Sequence, residues 1–283
     1  MRHITPTVHS MKTIGDKLEA FSVTRHSPHV AQRPPVSDEP NRVENAEDAG
    51  DAGDAGDCIM TESFTGTMRR ECSAIWDAQL THPFVVALAD GTLPQETFQF
   101  YILQDARFLT DLAKTFAFAA TKTDDRERIL KFGEFLIDTV RVERALHEMY
   151  AVRFGLTMAQ MAATPMAPTN YAYTRHMLQV AATGSLAEVV TVMLPCAWIY
   201  AVIGEHFTAL GDPPTGHPYR DWLAMYANPD FAAVGAWLRA VVDDEAARTE
   251  DRGRQRLRDI FRTSSEYEWL FWQMAWTREA WLV

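Results

Sequence analysis

From about residue 61 onward, apolar side chains recur every three or four positions, the spacing that places them on one face of an α-helix. No stretch in this region combines strand-length alternation of apolar and polar residues with a hairpin turn. The pattern predicts an all-α protein, with seven or eight helices in about 220 residues folded as one bundle.

The expected helix boundaries follow from capping residues, prolines and glycines. Ser63 caps a first helix that we expect to run through MRRECSAIWDAQL, and Pro94 begins the next one after a DGTLP turn. Asp124 or Asp125 begins a third helix, which stops near Gly155. The other helices are predicted in PTNYAYTRHMLQVAAT, SLAEVVTVMLPCAWIYAVIGEHFTAL, HPYRDWLAMY, NPDFAAVGAWLRAVVDDEAAR and from about Arg252 to Trp281.

The composition changes near residue 60. Residues 1–60 contain five of the fourteen prolines and a single aromatic residue, Phe21, whereas all eight tryptophans follow residue 75. This segment ends in the acidic repeat EDAGDAGDAGD, which cannot bury enough apolar surface to offset its conformational entropy. We therefore predict a disordered extension over residues 1–60 and a single helical domain over residues 61–283.

The net charge and the cysteine content limit which partners the protein binds and in which cellular compartment it is expected. The formal net charge of −11 argues against nucleic acid and anionic membrane surfaces as partners. The three cysteines, Cys58, Cys72 and Cys196, lack metal-site spacing and favour free thiols in a reducing compartment. No apolar run of about 18 to 20 residues is free of proline and charge, which argues against a membrane span. We expect a cytoplasmic protein.

Asp105 is the first polar residue in an otherwise apolar helical stretch, YILQDARFL. It lies four residues after Tyr101 and three before Phe108, so the three share a helix face. A carboxylate between aromatic rings suits a flat ligand that carries ring nitrogens and an amino group. The alternative is a carboxylate that pairs with Arg107 or Lys114, or that faces water.

The apolar stretch VVTVMLPCAWIYAVIGEHF contains Pro195 and Cys196 at its centre. Pro195 lacks the N–H that would bond the carbonyl of Thr191, which predicts a bend in this helix. Cys196 and Tyr200 are four residues apart and share a face, so the phenol has the position to orient or polarise the thiol. The alternative is a structural cysteine that acts as a small apolar residue.

Glu268 follows Tyr267 and precedes Trp269 in the aromatic segment SSEYEWLFWQMAW, and Glu266 lies nearly on the opposite helix side. A carboxyl facing the aromatic side loses hydration, which raises its pKa and makes it a general acid near neutral pH. The alternative is a peripheral helix on which both glutamates border the water.

Two weaker signals remain. Glu143 and His147 are four residues apart, but a metal site in a helical bundle needs more ligands, so a core hydrogen-bonded pair is favoured. Tyr171, Tyr173 and Tyr226 are aromatic candidates that are also compatible with ordinary core packing. The nucleotide-binding, zinc-protease and serine-hydrolase motifs are missing from the sequence.

Four segments, in this order and at these separations, resemble the TenA/thiaminase II family. They are HPFVVALADGTLPQETFQFYILQDARFLTDLAK, APTNYAYTRHM, LAEVVTVMLPCAWIY and SSEYEWLFWQMAW. The resemblance covers about residues 66–281. It implies an all-α haem-oxygenase-like bundle, assembled as a homotetramer, that uses no cofactor or metal. It also implies hydrolysis of 4-amino-5-aminomethyl-2-methylpyrimidine, and of thiamine in many members, for thiamine salvage.

The resemblance also implies roles for individual residues. Cys196 matches the nucleophile, Asp105 the residue that holds the amino and ring-nitrogen edge of the pyrimidine, and Glu268 the acid that protonates the ring. Phe108 occupies a position where some members have tyrosine. Its ring can still stack on a ligand, but any role of a hydroxyl at this position is lost. The other matched positions are the substrate-binding tyrosines Tyr173, Tyr200 and Tyr226. Two other functions stay open: a metal-dependent oxidase on the same fold, and a non-catalytic binder of thiamine-related pyrimidines.

Overall fold

The computed structural model describes residues 62–155 and 157–282. Within these ranges the chain forms eleven α-helices and no β-strand. The helices are α1 (Phe64–Glu71), α2 (Ser73–Leu80), α3 (Pro83–Ala89), α4 (Gln95–Ala120), α5 (Arg126–Phe154), α6 (Met158–Ala163), α7 (Pro168–Thr183), α8 (Leu186–Leu210), α9 (Arg220–Tyr226), α10 (Pro229–Ala247) and α11 (Asp251–Thr277). The all-α prediction is confirmed, while the predicted disordered extension lies outside the described residues.

The apolar helix α8 forms the centre of the bundle. It packs against α2, α4, α7, α9, α10 and α11, and its apolar residues are buried along most of its length. In the described part of the chain, it is the one helix long and apolar enough to cross a membrane by length and composition. Because most of that stretch is buried against other helices, α8 serves as a core helix here.

Most of the predicted helix ends are confirmed by hydrogen bonds at the caps. The Ser63 hydroxyl accepts a bond from the Gly66 N–H at 3.1 Å, and Asp125 accepts one from the Glu127 N–H at 2.9 Å. Gly155 follows α5 with a φ of 65°, a left-handed conformation that glycine adopts without strain. Local capping chemistry therefore sets these boundaries.

Three details of the predicted helices were wrong. The first expected helix is interrupted at Cys72, because α1 and α2 bond to different partners: Thr65 to Asp243 on α10, and Trp76 to Ser265 on α11. The short helices α3 and α6 were missed. The described residues thus contain more helices than the seven or eight predicted, since tertiary contacts stabilise segments too short to be stable alone.

Pro195 lies inside α8 without ending it, because helix is assigned continuously from Leu186 to Leu210. The hydroxyl of Thr191, four residues earlier, is fully buried and has no hydrogen-bond partner in the described structure. The predicted bend at Pro195 stays a prediction.

Gly204 lets α8 and the end of α9 approach closely. A Cβ atom at this position would lie 2.0 Å from the Tyr226 carbonyl oxygen and 2.5 Å from its carbon. We expect Gly204→Ala to lower the free energy of unfolding by about 1–3 kcal/mol, because backbone atoms must shift. Urea unfolding measures this change.

Gly133 provides the matched control, since a Cβ added there on α5 meets nothing within 4 Å. Gly133→Ala should leave stability unchanged or raise it by about 0.5–1 kcal/mol, as expected for alanine in a helix interior. Equal effects of the two substitutions would contradict the close-approach argument.

Candidate active site

The seven sequence-predicted site residues lie on five helices that meet inside the bundle. Six of them are buried and Cys196 is half-buried. The packing of α8 against α4, α7, α9 and α11 brings these helices together. The residues are Asp105 and Phe108 on α4, Tyr173 on α7, Cys196 and Tyr200 on α8, Tyr226 on α9, and Glu268 on α11.

Glu268 is a buried carboxyl with two hydrogen-bonding neighbours. The Tyr173 hydroxyl donates to its Oε1 at 2.5 Å, and the Cys196 thiol forms a second side-chain hydrogen bond. Burial raises the pKa of Glu268 to about 8; the bond from Tyr173 opposes this rise and the charge of Asp105 adds to it. At neutral pH the carboxyl therefore holds a proton that it can donate.

Cys196 is held as a neutral thiol at rest. Burial raises its pKa well above the ordinary value, and the charges of Glu268 and Asp105 raise it further. The thiol proton must therefore leave as the sulfur reacts. The neighbouring carboxyl of Glu268 can accept it on one oxygen while it gives up its own proton from the other. The predicted partner of the thiol was Tyr200, whose hydroxyl instead lies 3.1 Å from that of Tyr101.

Aromatic rings line the same region. Phe108 lies 5.1 Å from Tyr173 and 5.7 Å from Phe271, measured between ring centroids. Tyr173 stacks on Tyr267 at 5.0 Å with an interplanar angle of 8°. Such rings offer stacking surfaces for a flat heteroaromatic ligand.

Three phenols form a hydroxyl cluster near Asp105. The hydroxyl of Tyr101 hydrogen-bonds to those of Tyr200 and Tyr226. Burial raises the pKa of all three phenols well above the ordinary value, and the Asp105 charge adds to the rise in each. The phenols therefore remain protonated donors. The charge of Asp105 acts both on this cluster and on the pair Cys196 and Glu268, so Asp105 is electrostatically coupled to both groups.

A buried polar contact places α7 relative to α4. The Gln104 Oε1 accepts bonds from the Ala167 N–H at 2.9 Å and the Asn170 Nδ2 at 3.0 Å, and its Nε2 donates to the Pro165 carbonyl. Gln104 precedes Asp105 directly, and Asn170 lies one turn before Tyr173. The start of α7 is thus attached beside the site carboxylate.

A second link between these helices is the buried Asp111, which pairs with Arg175 and with Lys114. Lys114 was the alternative partner suggested for Asp105, and its bond to Asp111 is 2.7 Å long. Asp105 itself is 6 % exposed, which contradicts a carboxylate that faces water.

Tyr171 lies at the surface, 47 % exposed, with its ring against Trp281 and Arg175. It is therefore not part of this site. Sequence reasoning also missed contributors. Tyr101 was noted as a face neighbour of Asp105 and Phe271 as a neighbour of Glu268, but neither was given a role, and Gly204 was not considered. The four-residue spacing to Asp105 was the available signal for Tyr101.

In the part of the chain that the structure describes, no group of three or more His, Cys, Asp or Glu side chains is arranged to hold a metal ion. Glu143 and His147 belong to α5, but their side chains lie outside the described residues.

A surface cleft of about 400 Å³ lies apart from these residues, between α1 and α11. Among its lining residues, Arg258 pairs with Glu71 at 3.2 Å, and the Gln255 amide donates to Asp259 at 3.0 Å. No predicted site residue lines it. Cys196 and Glu268 combine an ionisable thiol with a carboxyl of raised pKa, which makes their surroundings the candidate site.

Comparison with known proteins places the chain in a family. Residues 69–278 match the model of the TENA/THI-4/PQQC family. The chain is 36 % identical, over 220 residues, to a Halalkalibacterium halodurans protein named aminopyrimidine aminohydrolase, which covers 77 % of this chain and 98 % of that protein.

Solved structures agree on the fold. A TenA homologue from P. horikoshii OT3 superposes with a TM-score of 0.69 at 35 % identity, covering 76 % of this chain and 99 % of the other. A Shewanella denitrificans domain described as having a heme oxygenase-like fold superposes with a TM-score of 0.58 at 12 % identity, covering 76 % and 92 %. The second similarity concerns the fold alone.

Proposed function

Because the chain belongs to the TENA/THI-4/PQQC family, we propose that it is an aminopyrimidine aminohydrolase of thiamine salvage. The proposed reaction converts 4-amino-5-aminomethyl-2-methylpyrimidine and water into the 5-hydroxymethyl compound and ammonia, with thiamine as a second substrate. The carrying observation is the thiol of Cys196 hydrogen-bonded to a buried carboxyl, Glu268, that is protonated at neutral pH. The name of the H. halodurans relative supports the same reaction.

In this proposal Asp105 orients the pyrimidine. Its carboxylate accepts an N–H of the 4-amino group and holds the adjacent ring-nitrogen edge, while Phe108 and Tyr226 provide apolar surface for the ring. Placing the ring against Cys196 makes the attack effectively intramolecular. Direct displacement at a methylene attached to an aromatic ring is slow, so the ring must first be activated.

The first step is addition of the thiol across a ring C=N bond. The Cys196 sulfur forms a bond to ring carbon, and the Glu268 carboxyl gives its proton to ring nitrogen while its other oxygen takes the thiol proton. The carboxyl thus ends the step still protonated. Tyr173, bonded to Glu268, holds the carboxyl in place.

The adduct then releases the leaving group. Electrons from the ring break the bond between the methylene carbon and nitrogen, and that nitrogen leaves as ammonia after taking a proton. A water oxygen bonds to the methylene and gives up a proton. Reversal of the thiol addition restores the aromatic ring, Cys196 and Glu268.

The direct test is steady-state hydrolysis of the aminopyrimidine by the purified protein, with thiamine in a parallel reaction and ammonia release measured for the first. We expect turnover of the aminopyrimidine. Tight binding of the pyrimidine without turnover would instead support the non-catalytic binder. A stoichiometric bound metal in the purified protein, together with oxygen consumption in place of hydrolysis, would support the oxidase.

We further propose a cytoplasmic homotetramer. Five apolar side chains on α5 are exposed and supply surface that self-association would bury: Ile129, Leu130, Ile137, Val140 and Val152. The mass in solution by light scattering decides between a tetramer and the single chain of 32.0 kDa.

A further inference from the structure

Tyr101 connects three helices through one hydroxyl. It lies on α4, fully buried, one helical turn before Asp105. Its hydroxyl contacts that of Tyr200 on α8 at 3.1 Å and also bonds to Tyr226 on α9. The side chain of Trp222 on α9 also lies against it, with the ring centroids 6.1 Å apart.

The ring of Tyr101 is fixed by its aromatic neighbours. It stacks on Trp272 at 5.7 Å with an interplanar angle of 25°, and Trp222 and Phe271 contact it edge-on at 6.1 and 6.0 Å. The position of its hydroxyl is therefore set by the core, and removing the oxygen alone leaves this packing in place.

Hydrogen-bond accounting shows how many protons the cluster can offer. A phenol donates one bond and accepts two. When Tyr101 donates its single proton to Tyr200 or to Tyr226, the phenol that accepts it keeps its own O–H for another acceptor. That O–H can then serve a bound ligand.

The chemistry of the substrate indicates where this O–H points. In the proposed substrate, the 4-amino group and the 5-methylene substituent are neighbours on the ring. If Asp105 holds the amino group, the polar groups beside Asp105 face the methylene substituent. In this arrangement Cys196 and Glu268 serve the ring. The hydroxyl cluster, which begins at Tyr101 one helical turn before Asp105, serves the substituent.

We propose that Tyr101 is a positioning residue that directs the spare O–H of Tyr200 or Tyr226 toward the leaving nitrogen. This inference rests on the proposed function. The phenol gives its proton to the nitrogen as the carbon–nitrogen bond breaks, and ammonia leaves. The phenolate takes a proton from the incoming water as the water oxygen bonds to the methylene, which restores the phenol.

The test compares Tyr101→Phe with wild type on two leaving groups. Departing ammonia needs a proton, whereas the thiazole of thiamine leaves as a neutral ring without one. We expect kcat for the aminopyrimidine to fall by about tenfold or more. The fall for thiamine should be several-fold smaller, and KM should stay within about twofold for both.

Tyr219→Phe is the matched control. This buried phenol donates to the Leu93 carbonyl, and its pKa shift has no contribution from Asp105. It should leave both kcat values unchanged, and thermal unfolding of both variants checks that each folds. Equal losses on the two substrates, or no loss on either, would overturn the positioning role of Tyr101.

A double-mutant cycle gives a second readout that needs only the aminopyrimidine. If Tyr101 acts through Tyr226 or Tyr200, its effect on kcat should nearly vanish in a background with both of those residues changed to Phe. A full Tyr101→Phe effect in that background would also overturn the proposal. A wild-type protein without turnover would instead count against the proposed function.

Discussion

Changing Cys196 to serine should reduce kcat for the aminopyrimidine by about 10³-fold or more, because the hydroxyl is a far weaker nucleophile toward the ring. The Cys196 thiol is the one that hydrogen-bonds to the proposed acid, Glu268. The serine side chain is only slightly smaller than that of cysteine, so the pocket should keep its shape. Steady-state kinetics give kcat, and calorimetric titration with the hydroxymethyl product gives binding.

Cys72→Ser is the control for the loss of a thiol in general. Cys72 is also free and buried, but it lies between α1 and α2, apart from Asp105 and Glu268. We expect that variant to keep wild-type kcat, and the Cys196→Ser variant to bind product within about threefold of wild type. Turnover near the wild-type level in Cys196→Ser would remove Cys196 as the nucleophile.

Replacing Glu268 with glutamine should lower kcat/KM by about 10²–10⁴-fold, since the amide has no acidic proton to give the ring nitrogen.

The wild-type protein should also lose activity as pH rises through about 8, where Glu268 ionises. The Gln variant should lack this decline. Glu266→Gln, an exposed change two residues earlier on α11, should keep both the rate and the pH profile. Activity that instead rises with pH through this range would show that the ionised carboxylate of Glu268, and not its acid form, is the active species.

The same pKa shift predicts how stability depends on pH. The folded pKa of Glu268, about 8, lies above the ordinary value of 4.5, so between these values the folded state holds a proton that the unfolded chain has lost. Stability from this group is therefore fully present below about 4.5 and is lost as pH rises to about 8. Urea unfolding at about pH 5 and about pH 8 should show a smaller decrease for Glu268→Gln than for wild type and Glu266→Gln. Parallel decreases in all three proteins would contradict a buried, protonated Glu268.

Several features of the site could be predicted from local spacing. Asp105 and Phe108 share a helix face by position alone, and the structure places both on the buried side of α4. Capping residues such as Ser63 and Asp125 act within a few residues of their partners, so their positions follow from sequence. The ordered segments also identified the family, since each carries residues at fixed separations.

Tertiary structure alone decided the chemistry of the individual groups. The spacing of Glu266 and Glu268 showed that they face opposite sides, but the packing of α11 against α2, α7 and α8 determines which carboxyl is buried and protonated. The hydrogen-bond partner of the Cys196 thiol is the carboxyl of Glu268 on α11. It is not Tyr200, which lies four residues away on the same helix as Cys196.

Apolar periodicity and capping residues were sufficient to predict an all-α bundle, where most of its helices begin and end, and which polar residues interrupt its apolar faces. These properties depend on periodicity and caps, which act over a few residues. The break at Cys72, the close approach at Gly204 and the hydroxyl cluster around Tyr101 were decided by the folded structure. The physical reason is that burial, pKa and hydrogen-bond partner depend on side chains from helices far apart in the chain, which only packing brings together.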